Sequence, residues 1–174
     1  MASSSYTSRR QLEEHRFHPL IAVLVPLSAI VLQALLPKAL PSLAILELPL
    51  LVTVFFGVSR RSPAAGALTG AAIGLLQDSL TSQPIGVNGL AKTIIGYAAA
   101  SIGLNVDVEA LTTRTIMIFA FSLLNSGLLY IINRRLLGFF EFHLQWNHEL
   151  TRAALNTALA IPVFLLLDKT KRRD

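Results

Sequence analysis

Cysteine is missing from the 174-residue chain, and only 14% of the residues carry charge against 53% that are hydrophobic. The first absence excludes a disulfide framework, a thiolate metal site and a cysteine nucleophile. The second sets the chain apart from soluble domains, of which roughly 25% is charged. A mean hydropathy of +0.58 agrees. Each membrane crossing takes about 20 apolar residues. Six crossings would use nearly the whole chain and leave no room for a soluble catalytic domain, so most enzyme classes fall away. No aromatic-interleaved basic patch or binding module accompanies the net charge of +5 and the pI near 10.1. Nucleic acid is therefore not the expected partner. In a membrane chain such an excess reflects orientation, because Lys and Arg collect on the cytoplasmic side.

What the chain does have is apolar runs. Residues 1–17 form a polar tail, and Arg9 and Arg10 precede a charge-free run at 20–36. That run is longer than a signal core of about 7–15 residues and lacks a following small-x-small cleavage site, so it reads as a first span. Pro26 inside it is tolerable in a membrane helix. Further runs at about 42–58, 64–80, 85–106, 115–133 and 153–167 bring the number to six. The expected organisation is one membrane domain, 18–168, followed by a basic tail, 169–174. The fold class is an all-α polytopic membrane protein of six transmembrane helices.

Charge tests the orientation. With the N-terminus inside, ten basic residues fall on the cytoplasmic side, among them Arg60, Arg61, Arg114 and Lys169. Four fall outside: Lys38, Arg134, Arg135 and Arg152. The bias favours both termini in the cytoplasm, with Arg134 and Arg135 dissenting.

Candidate chemistry is sparse. His15, His18, His143 and His148 include no i,i+4 pair and lie outside the spans. No nucleotide-binding loop and no Gly-x-Ser-x-Gly elbow occurs in usable context. Three ionisable residues, Glu47, Asp78 and Lys92, fall at or near membrane depth, where a charge must be paired or wetted. For Glu47, proximity to an interface would serve equally well. In the third run Gly66, Gly70 and Gly74 recur every four residues, and Asp78 continues the spacing on one helix face. In the fourth, Gly89, Gly96 and Gly103 recur every seven with Lys92 between the first two. Small residues so placed let helices approach closely, and ordinary tight packing would account for them as well. Between 134 and 152, charges alternate with Phe139, Phe140, Phe142 and Trp146. That pattern suits a segment lying at the outer interface, or an extension of the fifth helix followed by a loop.

The stretch 74–91, GLLQDSLTSQPIGVNGLA, resembles MreD, the bacterial rod shape-determining membrane protein family. The family pattern there is a small-residue helix ending in apolar-apolar-x-Asp, here Gly74 to Asp78. A short turn through Pro84 follows, then Leu-Gly-x-x-x-Leu-Ala opening the next helix. Gly86 matches, while Ile85 stands where the family has Leu. Asn156, Pro162 and the basic tail resemble the family's last helix, so the likeness covers essentially the whole chain. Lys92 lies outside the motif. The resemblance implies a non-enzymatic subunit of the lateral wall-elongation complex, without a cofactor or metal. Its relatives work with MreC, the actin-like MreB, the glycosyltransferase RodA and a class B penicillin-binding transpeptidase. It also implies a fold similar to the substrate-binding subunits of energy-coupling-factor vitamin transporters. That likeness supplies the alternative of a small-molecule uptake subunit, although fold alone does not carry function.

Two expectations about sites follow. Asp78 and Lys92 are expected to form an ion pair or share a hydrogen-bond network, unless Asp78 instead caps the fourth helix. Phe139, Phe140 and Trp146 are expected on a surface that binds another membrane protein such as MreC.

Overall fold

The computed structural model describes residues 19–60, 62–106, 110–139 and 145–168. Every regular element among them is helical: α1 (Pro19–Ala39), a 3-10 turn (Pro41–Ile45), α2 (Leu48–Arg60), α3 (Pro63–Thr81), α4 (Val87–Asn105), α5 (Leu111–Ile131), a π-helical turn (Ile132–Leu136) and α6 (Trp146–Asp168). The fold is thus all-α, with six α-helices among the described residues. Among the described residues, four segments are long and apolar enough to cross a membrane: Leu20–Ala39, Pro41–Arg60, Thr112–Leu136 and Trp146–Asp168. α3 and α4 have 19 residues each, about 28 Å of helix. Ala, Gly and Thr fill their faces and keep their hydropathy lower.

The reason for that composition lies in their packing. α3 and α4 form the closest pair in the fold. A Cβ added at Gly66, Gly70 or Gly74 would overlap the carbonyl oxygens of Gly96, Lys92 and Asn88 respectively. Each step of four along α3 therefore matches a step of four back along α4, and only glycine permits that approach. The seven-residue stripe of α4 divides. Gly96 meets Gly66 and Gly89 meets Leu75, whereas Gly103 faces α2, where a Cβ would come within 2.8 Å of the Val58 carbonyl.

α2 is the central helix. Every residue from Pro49 to Ser59 is buried, as expected of a helix apolar on all sides. Its Phe55 ring lies 5.3 Å from Phe164 of α6. α1 packs on α2 and α3, yet its outer face, with Leu20, Val23 and Leu24, stays exposed.

Two helix ends are set by local chemistry. Ser62 caps α3 by accepting the Ala65 N–H, with Pro63 at the first helical position. Ser82, at φ 55°, ends it in the left-handed region. At the far side, Arg114 of α5 pairs with Asp168 of α6, so the start of α5 and the end of α6 share one end of the bundle.

The stretch 134–152 divides between elements. Arg134 and Arg135 continue α5 through the π-helical turn, and α6 begins at Trp146, ahead of the apolar run expected from 153. Five of the seven residues 146–152 are polar or charged, and hydropathy detects apolar residues rather than helix. Phe140 lies outside the described residues.

Candidate functional site

The second span is broken, and the break organises the site. Pro41 and Pro49 lack N–H groups, and the chain leaves helical geometry at Leu46, with φ −75° and ψ 150°. Counting back about 1.5 Å per residue from Arg60 puts Glu47 roughly 20 Å along the axis, short of a hydrocarbon core about 30 Å thick. Irregular backbone at that depth must find partners within the protein. It does. Gln33 of α1 bridges the gap, donating to the Leu46 carbonyl (2.9 Å) and accepting the Leu48 N–H (3.0 Å). The Glu47 N–H donates to Asn156 Oδ1 of α6 (2.9 Å). Asn156 in turn donates to Ser122 of α5 (3.0 Å) and is fully buried.

The Glu47 carboxylate points inward. One oxygen accepts from Lys92 Nζ of α4 at 2.8 Å, the other from Asn125 of α5 at 2.8 Å. Lys92 has no solvent-accessible surface and Glu47 retains 8%. The positive charge is further satisfied by Asn88 Oδ1, at 3.0 Å and one turn earlier on α4. One carboxylate thus ties α2 to α4 and α5, while its own backbone ties α2 to α6.

Asp78 has a different task. Its carboxylate accepts the N–H groups of Gly86 (2.9 Å), Asn88 (3.1 Å) and Gly89 (3.2 Å), so it caps α4 from the neighbouring helix. Gly86 supplies the left-handed turn, at φ 102°, that turns these groups toward it. Asp78 also accepts from the Asn88 side chain at 2.8 Å. Asn88 therefore stands between the two charges, donating to Asp78 and accepting from Lys92. The partner that neutralises Lys92 is Glu47, not Asp78, and the route from Asp78 to Lys92 runs through Asn88.

Above this network, at the end of the bundle away from the Arg114–Asp168 pair, a cavity of about 330 Å³ opens. Gln33, Glu47, Gln77, Asn88, Asn133 and Arg152 contribute to its wall. Arg152 is paired with Glu149 (3.2 Å), which also accepts from Ser126.

Of the residues singled out from sequence, Gly66, Gly70, Gly74, Asp78 and Gly86 meet at the α3–α4 contact, with Asp78 linked on to Lys92 and Asn156 reached through Glu47. Pro84 lies exposed in the turn and Pro162 exposed on α6. Phe139 and Trp146 are 52% and 70% exposed and take no part in the network. Neither spacing nor motif singles out Asn88, Asn125 and Gln33 in the sequence. Each is an amide in an otherwise apolar helix, and such a side chain needs a partner on another helix. Among the described residues no cluster of His, Cys, Asp and Glu could hold a metal.

The family model for rod shape-determining protein MreD matches residues 15–170 of the chain. The chain therefore belongs to the MreD family and is a rod-shape-determining, multi-pass membrane protein. No curated protein and no solved structure matches it.

Proposed function

We propose that the chain is a non-enzymatic subunit of the lateral wall-elongation complex in the bacterial inner membrane, acting by binding other membrane proteins. The observation that carries this reading is the family match over residues 15–170. The architecture supports it. Buried polar groups are spent on joining helices: Glu47 links α2, α4 and α5, and Asn156 links α2, α5 and α6. The partners of this reading are MreC, and with it RodA, a class B penicillin-binding transpeptidase and MreB, within the lipid bilayer. Both termini face the cytoplasm, in keeping with the basic residues at that end.

Exposed Phe139 and Trp146 flank the connection between α5 and α6 and are the side chains offered to a partner such as MreC. Depletion in the native host tests the function. Cells should lose elongation and round up whatever nutrients are supplied; growth and shape restored by one vitamin would favour an uptake subunit instead.

A further inference from the structure

A groove between α1 and α3, on the opposite end of the bundle from Glu47, joins an apolar surface to a charge. Ala22, Val23 and Leu27 form one wall, and Leu68, Ala72 and Leu76 the other. Its volume is about 390 Å³, and Arg60, the last residue of α2, completes it. The α3 wall runs from Ala65 to Leu76, about 16 Å at 1.5 Å per residue. That is roughly half of a hydrocarbon core 30 Å thick, so the groove is as deep as one leaflet. Val23, Leu27, Leu68 and Leu76 are exposed along it.

Arg60 does not reach outward. A long basic side chain at the end of a span ordinarily carries its charge to the interface. Here the guanidinium is drawn back along α3. It donates to the Thr69 hydroxyl at 3.3 Å and lies 5.8 Å from the centre of the Phe56 ring. Thr69 follows the first residue of α3, Pro63, by six positions, about 9 Å into the helix. Among the described residues no carboxylate pairs with Arg60. A hydroxyl and a ring face orient a cation without neutralising it, and a charge near membrane depth calls for an anion. The planar guanidinium has donors to spare for a phosphate, which it grips bidentately.

Charge and depth together select the occupant. A soluble anion would satisfy Arg60 and leave the apolar walls unused, while an uncharged tail would do the reverse. A zwitterionic headgroup brings its own cation toward Arg60, whereas an anionic one neutralises it. We propose that the α1–α3 groove binds one anionic phospholipid, its phosphate on Arg60 and one acyl chain along the groove. The site requires that the chain cross the membrane and is independent of which proteins it partners. In the topology proposed above it lies in the cytoplasmic leaflet.

Native mass spectrometry of the full chain in detergent tests this, with phosphatidylglycerol or phosphatidylcholine of identical acyl chains as the titrant. One phosphatidylglycerol per chain should be retained with an affinity about tenfold or more above that of phosphatidylcholine, as expected of a hydrogen bond to a charged group. Arg60→Gln should reduce phosphatidylglycerol to the level of phosphatidylcholine, and Arg60→Lys should keep part of the preference. Ala72→Trp, at an exposed position on the wall, should block the site to both lipids without lowering the melting temperature of the lipid-free chain. Glycerol phosphate, the headgroup without chains, should not displace the lipid. Equal affinity for the two lipids, a preference that survives Arg60→Gln, or binding indifferent to Ala72→Trp would overturn the proposal. So would displacement by glycerol phosphate, which would mark a plain anion site. Binding that appears only after Glu13→Gln and Glu14→Gln would also overturn it, giving the groove to the chain's own N-terminal tail.

Discussion

Lys92 Nζ lies 2.8 Å from Glu47 Oε1, joining α4 to the broken start of α2 where both side chains are buried. A buried pair is weak evidence of stability in itself, because desolvation opposes the attraction. Removing one member is another matter. Lys92→Met should destabilise the protein by about 3–5 kcal/mol, leaving an uncompensated buried carboxylate. Glu47→Gln combined with Lys92→Met removes both charges and keeps an acceptor for Asn125, so the double variant should melt above Lys92→Met alone. Thermal unfolding in detergent checks the order. A double variant that melts below both singles would contradict it.

Asp78→Ala should be costly on its own, since the carboxylate caps three N–H groups of α4. A loss of at least about 2–3 kcal/mol is expected from hydrogen bonds to a charged group. Combined with Lys92→Met the effects should fall short of additive, because Asn88 is shared by both charges. Strict additivity would show that the Asn88 bridge carries no coupling.

How much of this was legible without coordinates differs from element to element. The α3–α4 hairpin was readable, since a short turn makes neighbours of helices and the four-residue glycine spacing names the face. The capping role of Asp78 was open as one of two readings. Glu47 as the partner of Lys92 was not readable: the two are 45 positions apart, and periodicity names a face without saying which helix covers it. The break before α2 shows in the sequence only as Glu47 and Pro49 interrupting an apolar run, and its compensation comes from Gln33 and Asn156 on other helices.

Glycine substitutions separate close packing from mere helix content. Gly70→Ala drives a methyl group into the Lys92 carbonyl and should lower the melting temperature strongly or prevent folding. Gly127→Ala on α5 meets nothing within 4 Å and should be neutral or slightly stabilising, by up to about 1 kcal/mol of helix propensity. Equal melting temperatures for the two variants would refute the α3–α4 contact.

Asn156→Leu removes the acceptor for the Glu47 N–H and the donor to Ser122. Unsatisfied buried groups cost about 1–3 kcal/mol each, so a clear drop in melting temperature is expected, together with faster hydrogen exchange at the α2 start. Unchanged exchange at 46–48 would mean that Gln33 alone holds the break.

Partner binding should respond to the exposed aromatics. Phe139→Ser with Trp146→Ser should reduce co-purification of MreC from native membranes while leaving the melting temperature within a degree or so, since surface substitutions typically shift stability by less than about 0.5 kcal/mol. Undiminished recovery of MreC would remove this segment from the interface.

In the proposed function the buried charges hold helices together and do no chemistry. Shape complementation by the charge-free variant Glu47→Gln/Lys92→Met tests it most directly, in the native host depleted of the chromosomal copy. With the variant at normal abundance in the membrane, cells are expected to remain rods and MreC to co-purify as with the unaltered chain. Round cells despite normal abundance and unchanged melting temperature would contradict the account and give the Glu47–Lys92 pair an active role.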